Sequence, residues 1–369
     1  MNIAILGFGT VGAGVYDAIE RAGGSLRVTK ILDLRSVAGF EKLLTSDMHA
    51  ITNDASIELV VETMGGVNPA YEYIMRALCA KKHVVSANKQ LICEKYAELM
   101  KAAADNGVEM RFTASAGGGI PWLFNLQRAK RCDEIEEVRG IVNGTTNFIL
   151  DAMNRRGADY METLKEAQKL GYAEADPTAD VNGYDAQRKC AISANIAFDT
   201  IVDGKLVLTE GIQHISADAA RAIKEHPQTK GRVVKLLMRA GKLPEGIYAY
   251  VAPALVKADS LEANVPTNFN LITFHARYAG VQSYFGQGAG KDPTGTSVAQ
   301  DILDIAAGYG AVSVGAASAK VRNDLIERDF FLYDGEGARI EHTSVKEIFS
   351  LADALRAKGK PVFFAQITD

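Results

Sequence analysis

The sequence predicts an α/β fold, a doubly wound parallel sheet followed by a second domain of α+β type. Three observations predict it. Short apolar strands alternate with helically spaced stretches through the first third. A glycine triplet separates the first strand from the first helix. Beyond about residue 122 the rhythm gives way to longer polar loops and more widely spaced strands.

The elements follow in order. Asn2–Leu6 reads as a strand, and Val11–Ala22 carries helical spacing. Arg27–Leu32 is a second strand. Leu59–Thr63 and His83–Ser86 are unbroken apolar runs, the pattern of strands covered on both faces, with a helical segment Pro69–Ala80 between them. Another helix near Lys89–Ala104 stops at Asn106-Gly107, and a strand Glu109–Ala114 follows. In the middle third Glu136–Val142 reads as a strand. Asn147–Arg155 and Thr163–Leu170 read as helices, the second capped by Gly171. A polar loop, Ala173–Gly183, leads into a helix from Tyr184 to Ala197. Ile247–Leu255 and Ser283–Gly286 read as strands, and Pro293–Ala307 as a helix. From about Val321 come two strand-like pieces, a helix Val345–Lys358 and the apolar run PVFFAQIT.

Composition narrows the function. A chain of 369 residues, 47% hydrophobic and 23% charged, has enough apolar mass for about two packed domains. Its net charge of −4 and lack of a basic stripe exclude nucleic acid as a partner, because phosphate neutralisation needs clustered Lys and Arg. Cys79, Cys93, Cys132 and Cys190 form no CxxC pair and fit no zinc spacing, so reduced thiols are expected. The chain starts directly in a strand, and no apolar run reaches the ~18 residues of a membrane span. Neither a signal peptide nor a membrane partner is expected, and the expected location is cytoplasmic.

The glycine triplet is Gly7-Phe8-Gly9-Thr10-Val11-Gly12, a GxGxxG in the required strand-to-helix context. Gly7 permits the tight turn, Gly9 lets a pyrophosphate approach the backbone, and Gly12 lets helix and strand pack closely. The amides of Thr10 and Val11 open the helix, whose N-terminus favours phosphate. This is the fingerprint of a Rossmann-type dinucleotide site. Asp33 ends the second strand about twenty residues on, the place of a carboxylate for the adenine ribose. Arg35 stands two residues later and offers a grip for a 2′-phosphate, so NAD and NADP both remain open.

Three further loops fall at strand ends, where ligands bind a parallel sheet. Glu62-Thr63-Met64-Gly65-Gly66 offers Thr63 and Gly65 to the cofactor. Ser86-Ala87-Asn88-Lys89 offers Lys89, although an isolated lysine is most often merely exposed. Thr113–Pro121 is a glycine-rich bend that suits either carbonyl ligation of a cation or a hinge. In the middle third Glu174, Asp176, Asp180, Asp185 and Lys189 crowd together, with Asp185 and Lys189 four apart on one helix face. An exposed ion pair is the plain reading of that spacing. Oxidising an alcohol with a nicotinamide cofactor gives it another meaning. A lysine can take the hydroxyl proton while carboxylates hold a substrate ammonium group.

These motifs carry a resemblance. GFGTVG, ANK (Ala87–Lys89), Gly140–Leu150 (GIVNGTTNFIL), Gly171–Asp185 (GYAEADPTADVNGYD) and Gly286–Thr294 resemble the homoserine dehydrogenase family over roughly residues 1–310. The resemblance implies NAD(P)-dependent interconversion of homoserine and aspartate 4-semialdehyde in threonine and methionine biosynthesis. It implies Lys189 as acid/base, Lys89 between substrate and cofactor, Glu174 and Asp185 on the amino-acid substrate, and Gly288 at the cofactor. It also implies a monovalent cation, sodium or potassium, on the carbonyls of Thr113, Ala116, Gly118 and Ile120. The family usually has Glu at the Thr113 position, so only a carbonyl role carries over there. A homodimer through the second domain's sheet is likewise implied. The expected boundaries are a dinucleotide-binding domain, 1–122, with 286–320 packing back on it; a substrate-binding and dimerisation domain, 123–285; and a short extension, 321–369. That extension is too short for a full regulatory module of about 70 residues and its linker. Threonine inhibition through such a module is therefore not expected.

Two other readings compete. Another amino-acid or hydroxy-acid dehydrogenase on this scaffold would need a different polar set in the second domain. A non-catalytic NAD(P) sensor would have no use for Lys89 and Lys189. A phosphorylating semialdehyde dehydrogenase would need an activated cysteine, and none of the four has such surroundings.

Overall fold

The computed structural model describes residues 1–309 and 317–368. The chain divides into two compact units. One comprises Met1–Arg131, Asn195–Ile201 and Gln287–Ala317; the other comprises Cys132–Ala194, Val202–Gly286 and Ser318–Asp369.

The first unit is built on six strands: β1 (Asn2–Leu6), β2 (Arg27–Leu32), β3 (Leu44–Thr45), β4 (Ile57–Glu62), β5 (His83–Ser86) and β6 (Met110–Arg111). They pair in the order β3-β2-β1-β4-β5-β6, and every pairing is parallel. The order reverses between β1 and β4, which leaves a crevice at their carboxyl ends. Ile3, Ile5, Leu59, Val61 and Val85 fill the sheet's interior against Val15, Ile19, Val298 and Ile302. The last four come from helices Thr10–Ala22 and Lys291–Ala306, which cross closely. A Cβ on Gly14 would lie 2.3 Å from the Lys291 carbonyl oxygen, and one on Gly295 would lie 2.4 Å from Gly14. The expected strand Glu109–Ala114 is corrected. Only Met110–Arg111 pairs, because the chain leaves the sheet at Phe112 (φ −157°, ψ 33°) and enters a 3₁₀ turn at Thr113–Ser115.

The second unit carries a mixed sheet. Its strands are β7 (Ile135–Ile141), β8 (Leu208–Thr209), β9 (Arg232–Leu243), β10 (Gly246–Lys257), β11 (Phe269–Ala276), β12 (Gly280–Gln287), β13 (Glu327–Tyr333), β14 (Ala338–Ser344) and β15 (Phe363–Ile367). The order is β12-β11-β7-β9-β10-β15-β13-β14, with β8 also pairing with β10. A two-residue turn joins β9 to β10, and their register runs unbroken from Leu243↔Gly246 to Arg232↔Lys257. β15 inserts between β10, to which it is parallel, and β13, to which it is antiparallel. Helix Val345–Ala357 starts with a complete capping box of Ser344 and Glu347. Its Val345, Ile348, Phe349 and Ala352 pack on Tyr248, Tyr250, Phe330 and Phe364.

Candidate active site

In the first unit, β1 ends in the glycine turn. Gly7 has φ +87°, its amide donates to Leu32 O at 2.8 Å, and a Cβ there would lie 3.0 Å from Met64. A Cβ on Gly12 would lie 2.2 Å from Gly7 O. Gly9 caps the helix with no side-chain acceptor, and a Cβ on it would meet nothing within 4 Å. The first-turn amides, including those of Thr10 and Val11, therefore border open space, a cradle that fits a pyrophosphate. Asp33 lies beside the turn. Its carboxylate accepts from the Phe8 amide at 2.8 Å and from Arg35 Nε and Nη2 at 3.0 and 2.9 Å. The Arg35 side-chain bonds, with help from the Arg35 and Phe8 amides, hold that carboxyl well below its ordinary range. Arg35 itself is exposed.

A residue given no role in the sequence reading organises the neighbouring loops. Glu62, fully buried at the end of β4, accepts from the amides of Met64 (2.8 Å) and Gly65 (3.3 Å), from Ser86 Oγ (2.6 Å) and from Asn88 Nδ2 (3.3 Å). Burial raises its pKa against the pull of these donors. Thr63 Oγ1 donates to Gly7 O at 2.7 Å, so Thr63 braces the glycine turn. Asn88 caps the helix Lys89–Asn106 through the Leu91 amide and donates to Gly66 O at 2.6 Å. Lys89 is thereby fixed as the first helical residue, half-buried at the carboxyl edge of β5.

The glycine bend packs against the start of the Lys291 helix. A Cβ on Gly118 (φ +57°) would lie 2.4 Å from Gly288, and the Gly119 amide donates to Gln287 O at 3.1 Å. Gly118 O accepts from Ser297 Oγ at 2.5 Å, and Ile120 O accepts from the Trp122 amide at 2.7 Å. Each of these carbonyls keeps a second lone pair. Among the described residues, Ser115 Oγ in the same bend is buried without a hydrogen-bond partner. Neutral carbonyl and hydroxyl oxygens suit a hard monovalent cation, so the residues present fit one. The Thr113 amide donates to Asp301 at 3.0 Å, and burial pushes the Asp301 carboxyl up to about 6.

In the second unit, Asn143 follows β7 and caps the helix Gly144–Arg156 through the Thr146 amide at 2.8 Å. Its Nδ2 donates to both Asp180 Oδ1 (2.7 Å) and Asp185 Oδ2 (2.9 Å). Thr145 Oγ1 adds a bond to Asp180 at 2.9 Å. Lys189 Nζ donates to Asp185 Oδ2 at 2.8 Å and to Val142 O at 2.6 Å. Asp185 and Lys189 are 3% and 6% exposed, which rules out the plain reading of a surface ion pair. Burial and the neighbouring Asp185 charge raise the Asp180 pKa. Asp180 is thus a member of the cluster, whereas Glu174 is exposed and forms no hydrogen bond with it among the described residues. Sequence spacing had put both acids in one loop. The clue that separates them is Asp180's place beside Val181, which turns inward in the short helix Thr178–Val181.

Comparison with known proteins shows what the chain is similar to. Residues 7–113 match the family model described as homoserine dehydrogenase, NAD binding domain, and residues 121–303 match the model described as homoserine dehydrogenase. The homoserine dehydrogenase of Corynebacterium glutamicum is 42% identical over 323 residues, covering 83% of this chain and 72% of that protein. That of Bacillus subtilis is 37% identical over 318 residues, with the same shares covered. A crystal structure of a homoserine dehydrogenase from Thiobacillus denitrificans superposes with a TM-score of 0.89 at 30% identity, covering 100% of this chain and 98% of that one.

Proposed function

This chain belongs to the homoserine dehydrogenase family, and from that membership we propose how its residues divide the reaction. The enzyme is an NAD(P)-dependent oxidoreductase that interconverts homoserine and aspartate 4-semialdehyde. The observation that carries the assignment of roles is the buried pair of Lys189 and Asp185, 2.8 Å apart. Lys189 takes the hydroxyl proton of homoserine during oxidation. During reduction its ammonium returns that proton to the developing alkoxide. Asp185 and Asp180 hold the substrate ammonium group, and Asn143 keeps the two acids together. Glu174, exposed outside the cluster, would serve as an outer carboxylate toward the amino-acid end of the substrate. Lys89 adds a second ammonium that stabilises oxyanion charge.

The nicotinamide cofactor, when bound, accepts or supplies the hydride. Gly7, Gly9, Thr10, Val11 and Gly12 would cradle its pyrophosphate, with Thr63, Gly65 and Gly288 bordering it. Asp33 would take the adenine ribose. The exposed Arg35 would turn from Asp33 to a 2′-phosphate, and we assign NADP(H) the tighter hold on that ground. A sodium or potassium ion would sit on the carbonyls of Thr113, Ala116, Gly118 and Ile120 and tie the bend together. A homodimer would cover the β12 edge, where Tyr278, Val281 and Phe285 are exposed. No helix among the described residues is long and apolar enough to cross a membrane, and the four cysteines form no disulfide. A cytoplasmic place in threonine and methionine synthesis suits such a chain.

The test is absorbance of the reduced cofactor in purified enzyme given homoserine with NAD⁺ or NADP⁺. Homoserine-dependent reduction with a preference for NADP⁺ is expected. Cofactor binding without any homoserine-dependent reduction would remove the assignment.

A further inference from the structure

The family models end at residue 303, yet later residues reach the wall of the substrate cluster. Helix Val345–Ala357 ends beside Arg356, whose guanidinium clasps the Glu210 carboxylate with two nitrogens at 3.0 and 2.6 Å. Arg356 also donates to Val362 O at 3.2 Å, just before β15. Glu210 is only 5% exposed. Burial pushes its carboxyl pKa up, and Arg356 pulls it back.

Glu210 precedes Gly211, which has no room for a side chain. A Cβ there would lie 2.0 Å from Val181 O and 2.5 Å from Asn182 Cα. The Ile212 amide donates to Val181 O at 2.7 Å. From the other side, a Cβ on Gly183 (φ +83°) would lie 2.9 Å from Thr209 Cγ2. Segment 209–212 therefore presses backbone to backbone on turn 181–183, the turn that joins Asp180 to Asp185. The sheet holds the segment's inner side, since β8 pairs with β10 and the Glu210 amide donates to Val251 O at 2.9 Å. The Glu210 side chain is left for Arg356 to hold.

We propose that Arg356 is a positioning residue for homoserine: by clamping Glu210 it seats segment 209–212 against turn 181–183 and sets the spacing of Asp180 and Asp185. The proposal rests on the assignment of those two carboxylates to the substrate ammonium. A buried ion pair is a poor source of stability, because an apolar pair of similar volume does as well or better. Its value here is geometric. Two charged groups with fork-to-fork bonding admit one arrangement, whereas an apolar contact at the same place slides.

The experiment compares Arg356→Met, Arg356→Lys and the double variant Glu210→Gln/Arg356→Met in the full chain, with thermal unfolding followed in parallel. Arg356→Met is expected to raise KM for homoserine about tenfold, the equivalent of ~1.4 kcal/mol, with the cofactor KM changed less than about twofold. Arg356→Lys, which keeps the cation but not the two-nitrogen fork, is expected to recover only part of the loss. The double variant buries no lone carboxylate, so it reads the same KM effect if Arg356→Met folds poorly. A wild-type homoserine KM in the folded single and double variants overturns the proposal, as do equal rises in both KM values. Lys189→Ala is assayed alongside. Full turnover there would remove the substrate cluster itself. Lost turnover there, with an unmoved homoserine KM in the Arg356 variants, overturns this inference alone.

Discussion

Lys189, the proposed proton carrier, is held by short, directional bonds. Two of its acceptors are Asp185 and the Val142 carbonyl. Replacing Lys189 with Ala removes the proton carrier and leaves Asp185 buried beside an empty site. Turnover should fall by about 10²–10⁴-fold, the usual worth of a positioned acid or base. Cofactor affinity, set in the other unit, should change less than about twofold in a direct titration. Near-normal turnover would sink the assignment. At the other end of the reaction, Arg35→Ala should raise the KM for NADP⁺ about tenfold while leaving that for NAD⁺ nearly unchanged, because only the 2′-phosphate needs the guanidinium. Equal losses with both cofactors would argue that Arg35 merely neutralises Asp33. The backbone packing of the glycine turn, which depends on local spacing, was legible in the sequence. Gly7, Gly9 and Gly12 each meet the neighbour, or the open space, that their positions foretold. Glu62 and Asp180 were not: Glu62 takes its partners from loops far apart in the chain, and Asp180 is told from its neighbours only once the short helix turns Val181 inward.

Elements were legible where their period is local. The helix Val345–Ala357 and the strands β1, β2 and β5 stand where the pattern placed them. β9 went unread because its apolar residues run without alternation, and two of its four cations, Lys235 and Arg239, are four apart, like partners on a helix. The sheet instead buries both. Lys235 is fully buried and bonds Asn147 Oδ1 and Val265 O at 2.9 Å each. Asn147 in turn donates to Thr267 O at 2.8 Å, which explains that residue's place in the motif Gly140–Leu150. At the head of the same helix, Asn143 serves both backbone and acids. Asn143→Ala should cost about 1 kcal/mol of stability through the lost cap. It should also raise the homoserine KM, since Asp180 and Asp185 lose their shared donor. Denaturant titration and steady-state kinetics separate the two effects, and an unchanged KM would confine Asn143 to capping.

For the molecule as a whole, Lys235 sets a pH signature of stability. Burial lowers its pKa from 10.5 to about 8. Between those values the unfolded chain binds the proton that the folded chain has lost, so folded-state stability rises with pH across that window. The contribution is on the order of 3 kcal/mol at most. Melting curves from pH 7 to 10.5 should show this rise in the wild type relative to Lys235→Met, which has no amine to titrate. Parallel curves for the two proteins would exclude it.

The placement of β15 has a consequence for how the protein is made. Residues 363–367 occupy an interior position between β10 and β13, and the first unit likewise waits for Lys291–Ala306. Neither unit is a continuous stretch that folds as it leaves the ribosome. A nascent chain halted before residue 363 leaves the β13 edge and the part of β10 beyond β8 unpaired and open to another chain. The sheet of the second unit therefore cannot close until residues 363–367 have been made and thread between two strands laid down long before them.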